Sequence, residues 1–160
     1  MSELSGKIST AVERTVLGVV ETMAGVEARA VSRSDDPSDI RVEGVAGSVQ
    51  FAGPLSGVVY LLMPELLAQR IAERMLGTTD VGPNEVKDVV GELTNMVAGG
   101  LKNDLAGAGL DSKLTIPTVI RAEQSRIIVR NVSLSTTNVI RLPGEGAELQ
   151  VRVLAREMAA

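Results

Sequence analysis

Glu85-Val86-Lys87-Asp88-Val89-Val90-Gly91-Glu92-Leu93-Thr94-Asn95-Met96-Val97-Ala98-Gly99-Gly100-Leu101-Lys102 is the stretch on which the reading of this chain turns. Wound at about 100° per residue, Val86, Val89, Val90, Leu93, Met96, Val97 and Leu101 gather on one side. Asp88, Glu92, Asn95, Gly99 and Lys102 form a narrow stripe almost opposite. The pattern predicts a long amphipathic helix opened by Pro83, whose missing N–H costs nothing at a helix start. Glu85 in the first turn suits the helix dipole. The helix runs to about Leu105, and Gly107 and Gly109 end it. The apolar stripe is core, and a polar stripe is usually a solvated face. Asn95 and Gly99 argue for more. Asparagine competes for the backbone in mid-helix, and glycine costs roughly 1 kcal/mol relative to alanine. Two readings stand side by side: close packing of a neighbouring element on Gly99 and Gly100, or a flat acid-amide surface that admits another molecule.

Outward from this helix, Pro64 opens another whose apolar face is Leu66, Leu67, Ile71, Met75 and Leu76, ended by Gly77. Before it, Ile40–Ala52, broken near Gly44 and Gly47, and Val58–Met63 read as a hairpin about a turn at Pro54–Gly57. Ser5–Met23 has helical period through Ile8, Val12, Val16, Val19, Val20 and Met23, and Val26–Ser34 reads as a strand. After the long helix come strands at Leu114–Ala122, Arg126–Leu134, Asn138–Leu142 and Glu148–Ala155, with a turn at Pro143–Gly146. Helix, strands, two helices, strands is an α+β order. The expected architecture is an antiparallel or mixed sheet with helices packed on one face. A single domain over residues 1–160 is expected, without a clear internal sequence repeat.

Composition removes several functions. The chain has 160 residues, a net charge of -4, and neither cysteine nor histidine. Disulfides, thiol nucleophiles, cysteine-based zinc sites and histidine bases are excluded. An acidic chain whose aromatics are Phe51 and Tyr60 lacks the basic stripe and stacking platforms of a nucleic-acid binder. No apolar run approaches the roughly 18 residues of a membrane span, and Met1–Lys7 has no signal pattern, so the expected compartment is cytoplasmic. Asp35-Asp36 precedes Pro37 and reads as a surface turn. Gly144-Glu145-Gly146 opens no helix, and Ser133 and Ser135 have no base to activate them.

The run Asp88-x-x-x-Glu92-x-x-Asn95, followed by Pro117, resembles the active-site motif of the CheC/CheX/FliY chemotaxis phosphatases. Gly53-Pro54-Leu55-Ser56-Gly57-Val58-Val59 and Thr115-Ile116-Pro117-Thr118-Val119-Ile120 resemble the segments that flank it in CheX-like members. CheC-type members commonly carry a second motif. Here the first helix offers Glu13-x-x-Val16 and Glu21-x-x-Ala24, neither with the amide, so one site is expected.

The resemblance implies a CheC/CheX-like α+β fold, a homodimer built partly by strand exchange, and hydrolysis of the aspartyl phosphate of a CheY-type receiver. It implies Glu92 and Asn95 as catalytic residues. Asn95 would orient an attacking water, and Glu92 would pair with the receiver's lysine. Asp88 and Gly99 would meet the partner. No cofactor of its own is implied, since the receiver carries the Mg²⁺. A loose phosphoryl-transfer transition state rewards positioning of water, which suits a chain without histidine. A non-catalytic receiver-binding module and a purely structural homodimer are the competing expectations.

Overall fold

The computed structural model describes residues 1–159. The first helix, α1 (Glu3–Val19), is capped by Ser2, whose Oγ accepts from Ser5 N at 3.1 Å. Its last turn widens to a π-turn at Val20–Ala24 and stops at Gly25, whose φ is 64°. Strands β1 (Arg29–Ser34), β2 (Ile40–Ala52) and β3 (Leu55–Met63) follow, then α2 (Glu65–Leu76) and α3 (Pro83–Gly107). The chain ends in β4 (Lys113–Leu114), β5 (Thr118–Ile127), β6 (Leu134–Leu142) and β7 (Ala147–Glu157).

The strands make one seven-stranded sheet in the order β1-β6-β7-β3-β2-β4, with β5 also pairing β2, and each pairing is antiparallel. All three helices lie on one face. Ile8, Val12, Val16, Leu67, Ile71, Val90, Leu93 and Val97 bury there against Val49, Val59, Ile140, Val151 and Val153. The α+β expectation, with helices on one face, holds. The other face carries a small cluster of Ile40, Val42, Ala46, Leu62 and Leu154.

Several boundaries differ from the sequence reading, among them Leu114–Ala122, which is interrupted between β4 and β5, and Asn138–Leu142, which starts at Leu134. The segment at Val26 pairs only from Arg29, and Val26 itself is buried in the core. β2 is one strand through Gly44 and Gly47, although its ladder with β5 shifts register between Val42 and Gly44, where Gly44 has φ 120°. Leu55–Gly57 belongs to β3 and not to a turn, because Ser56 Oγ closes the bend by accepting from Gly53 N and donating to Gly53 O. The expected strand Arg126–Leu134 does not form as one strand: Arg126 and Ile127 finish β5, Leu134 opens β6, and residues 128–133 are outside the sheet. β5 ends at Ile127, Asp39 Oδ1 takes the Val129 N–H at 3.0 Å, and Asn131 turns the chain at φ 56°. Val129 and Val132 thereby pack on the second cluster instead of alternating in a ladder.

The sheet order also shows an internal symmetry. With β5 taken as the outer neighbour of β2 and the two-residue β4 set aside, exchanging β1 with β5, β2 with β6 and β3 with β7 returns the same order reversed, as a twofold axis through the β3–β7 pair requires. The helices obey it. Buried Ser5, Ile8, Ser9, Val12, Val16 and Val20 match buried Val90, Leu93, Thr94, Val97, Leu101 and Leu105, each 85 positions later. The helices cross where Thr15 meets Gly100, positions related by the same offset; a Cβ on Gly100 would lie 2.6 Å from Thr15 Cγ2.

Candidate functional site

α3 is positioned from below by its apolar face and by one close approach. Thr94 is fully buried, its hydroxyl donates to Val90 O at 2.7 Å, and it packs directly on Gly47 of β2. That contact seats the next residue, Asn95, half-buried on the outer face. Asp88 and Glu92 are exposed, and Gly99 and Lys102 are half-buried. Met96, expected in the apolar stripe, is also only half-buried and borders the polar one. The helix therefore presents Asp88, Glu92, Asn95 and Gly99 in line along about three turns.

These side chains are uncommitted. Among the described residues no ion pair includes Asp88, Glu92 or Lys102. A Cβ added to Gly99 would meet nothing within 4 Å, so no neighbouring element of this chain explains the glycine there. Gly100 is different, because it admits α1. Of the two readings of the Gly99-Gly100 pair, close packing accounts for Gly100 and leaves Gly99 facing open space.

This contrast gives a prediction. Gly99→Ala adds a methyl to an open helix face and removes backbone freedom from the unfolded chain. Stability should rise by about 0.5–1 kcal/mol, read as a higher denaturation midpoint with an unchanged slope. A fall in stability would show that Gly99 is structurally required.

Pro117 is brought to the helix from the sheet edge. Its Cγ would lie 3.6 Å, and Val119 Cγ2 3.5 Å, from a Cβ at Gly91, the residue before Glu92. The structure thus brings Pro117, distant in sequence, against α3 at the residue before Glu92. Asp35, Asp36 and Glu145 lie elsewhere. Asp35 Oδ2 is 3.5 Å from the Met1 amino group, and the Glu145 carboxylate is held by Arg70 and Arg74.

The symmetry places the counterpart of the stripe in α1 at positions other than Glu13 and Glu21. The residues of α1 equivalent to Asp88, Glu92, Asn95 and Gly99 are Glu3, Lys7, Thr10 and Arg14, not Glu13 or Glu21. Thr10 Oγ1 donates to Gly6 O and accepts from Arg33, while Glu13 is paired with Arg33 at 2.7 Å. That pairing, chiefly the Glu13 hydrogen bond, raises the Arg33 pKa. Arg14 is engaged by Asp104 at 2.7 Å. α1 keeps a carboxylate only at Glu3; it has Lys7 where α3 has Glu92 and Thr10 where α3 has Asn95, and Glu3 and Lys7 pair with each other at 3.7 Å.

Cavities of about 790 Å³ on the sheet face away from the helices and about 470 Å³ between α1 and the end of α3 are both lined without Glu92 or Asn95. The stripe is an open helix face. Small-molecule sites are concave and enclose their ligand, so this geometry suits a macromolecular substrate.

The family model described as chemotaxis phosphatase CheX matches residues 45–140, a span that holds the whole stripe and Pro117. The chain belongs to the CheX family. Solved structures agree on the fold of this CheX-family chain. Chemotaxis protein CheX from Vibrio vulnificus is 25% identical over 93% of this chain and 99% of its own, with a TM-score of 0.80. CheX from Desulfovibrio desulfuricans is 22% identical over 93% and 99%, with a TM-score of 0.83. The matching chain of a CheX–CheY–BeF3–Mg²⁺ complex from Borrelia burgdorferi is 22% identical over 92% and 97%, with a TM-score of 0.77. No curated protein sequence matches the chain. Among the described residues no helix is long and apolar enough to cross a membrane.

Proposed function

We propose that this chain is a protein-aspartyl-phosphate phosphatase that acts on a CheY-type receiver. The observation that carries the reading is the uncommitted Asp88–Glu92–Asn95 stripe on the open face of α3, inside the span matched by the CheX model. A convex face of this kind enters another protein's site instead of enclosing a substrate.

In this mechanism Asn95 reaches the receiver's phosphorylated aspartate. Its amide accepts a hydrogen bond from a water through Oδ1 and holds that water in line with the phosphorus. The water O–P bond forms as the P–O bond to the aspartyl carboxylate breaks. The water's protons leave with inorganic phosphate and solvent, and the receiver's carboxylate is released. Little deprotonation is needed before a loose transition state, so orientation supplies the acceleration.

Glu92, one turn earlier, pairs with the receiver's lysine and fixes the approach. Asp88 and Gly99 contact the receiver, and the open space over Gly99 allows its surface to come close. Mg²⁺ belongs to the receiver. The Borrelia burgdorferi CheX in complex with CheY, BeF3 and Mg²⁺ supports this division, since BeF3 has the shape and charge of a phosphoryl group. The chain acts as one cytoplasmic domain over residues 1–160, and as a homodimer; a monomeric mass in sedimentation would remove the dimer.

The experiment that tests the reading follows decay of a phosphorylated receiver against phosphatase concentration. Glu92→Ala should raise the concentration for half-maximal acceleration about tenfold, as expected for loss of one close interfacial charge pair. The wild type should weaken in high salt more than the variant does. Equal affinity of the two proteins, with equal salt dependence, would exclude Glu92 from the contact.

A further inference from the structure

The most exposed large apolar side chain among the described residues is Ile116, at 86%. It belongs to the edge of the sheet that carries Pro117. Phe51 of β2 pairs with Leu114, and Ser48 pairs with Thr118. Three residues (Thr115, Ile116, Pro117) therefore stand against two (Val49, Gln50). The extra residue is a bulge, a device found at sheet edges and beside active sites, where it turns a side chain out of the regular alternation.

Ile116 is held on both sides. Thr115 N donates to Gln50 O at 2.9 Å, and Thr115 Oγ1 accepts from Gln50 N at 3.0 Å. Pro117 is fixed against Gly91, the residue before Glu92. The isoleucine is thus clamped in an exposed position on the flank of the Glu92–Asn95 stripe. An unanchored apolar side chain in a loose loop would have an ordinary explanation. Here the backbone is doubly fixed, so little ordering entropy remains to be lost when a partner covers the side chain.

We infer that Ile116 is the apolar anchor of the partner surface, seated in a nonpolar depression of the receiver beside the phosphorylation site that Asn95 and Glu92 address. The inference rests on the receiver-phosphatase reading. It divides the surface into parts: Asn95 acts on the phosphoryl group, Glu92 on the neighbouring cation, and Ile116 supplies the buried apolar area that a charged stripe lacks. Ile116 is a positioning residue, so its removal should weaken association and leave the chemical step alone.

The test measures binding of a beryllofluoride-activated receiver, and separately the decay rate of the phosphorylated receiver at saturating phosphatase. Ile116→Ser should weaken binding about tenfold or more and change the saturated rate less than twofold. Ile116→Leu should return binding to within about threefold of wild type. Ile128→Ser removes another exposed isoleucine, 59% exposed beyond the opposite end of β5, and should change neither quantity. Thermal melts verify that each variant is folded. Wild-type affinity in Ile116→Ser, or the same loss in Ile128→Ser, overturns the inference while the phosphatase reading stands. Absence of both binding and acceleration by the wild type overturns the phosphatase reading, and this inference falls with it.

Discussion

An Asn95→Ala variant is expected to fold as the wild type does, to bind an activated receiver with affinity within about threefold, and to lose nearly all acceleration of its dephosphorylation. The size of the loss follows from the chemistry. With no histidine or cysteine in the chain, orientation of water is the main contribution left to it. Removing one group that positions a reactant costs about 10²-fold or more. The fold should survive because Asn95 is half-buried on the outer face of α3, and alanine is the better helix former. Binding should survive because Glu92, Asp88 and the open surface over Gly99 remain. A variant that keeps a third of the acceleration would remove Asn95 from the mechanism, and a variant that loses binding in proportion would make it a docking residue.

The largest effect on stability is expected at Gly57→Val. Gly57 lies in β3, which together with β7 forms the centre of the sheet. It pairs with both Phe51 and Ala155. A Cβ there would fall on Leu154 O and come within 2.8 Å of Ala155 Cα. These are backbone atoms of the neighbouring strand, so no rotamer change relieves the overlap. The strands must part or the ladder must shift, and a one-residue shift sends every side chain of the strand to the wrong face. A loss of more than about 3 kcal/mol is expected, a large share of the 5–15 kcal/mol that a domain has. Urea denaturation should show an early midpoint or no folded baseline. Near-wild-type stability would mean that β3 and β7 are more loosely paired than their register indicates.

The contrast between Gly57 and Gly99 shows what could be read from sequence and what could not. α3 was readable because its signals are local: an apolar period near 3.6, a proline at its start and glycines after its end. The outward placement of Asn95 and Gly99 follows from the same winding. Gly57 was assigned to a turn, since proline, serine and glycine cluster there, and only pairing with β7, nearly a hundred residues away, makes it a strand residue. The run Ile127-Ile128-Val129 has strand composition, yet the ladder stops at Ile127, and Asp39 and the bend at Asn131 take Ile128 and Val129 out of it.

The candidate site divides in the same way. Glu92, Asn95 and Pro117 were named from the residues and their resemblance, but the packing of Pro117 on Gly91 is a tertiary fact. The bulge at Ile116 depends on the register of β2 and has no local signal. The relation of α1 to α3 is hidden in the sequence because most paired positions share burial and not identity, as in Ser5 with Val90 and Thr15 with Gly100. Local spacing therefore points to Glu13 and Glu21, whereas the fold places Lys7 and Thr10 at the positions of Glu92 and Asn95.

The proposed activity is removal of the phosphoryl group from a receiver. Its most direct test is the decay of each phosphorylated receiver of the same organism, in single turnover, with wild-type protein in excess and Mg²⁺ present. At least one receiver should lose its phosphate much faster than it does alone, with stoichiometric release of inorganic phosphate. Unchanged decay of every receiver, with tight binding of one in its phosphorylated form, would contradict it and make the chain a receiver-binding module.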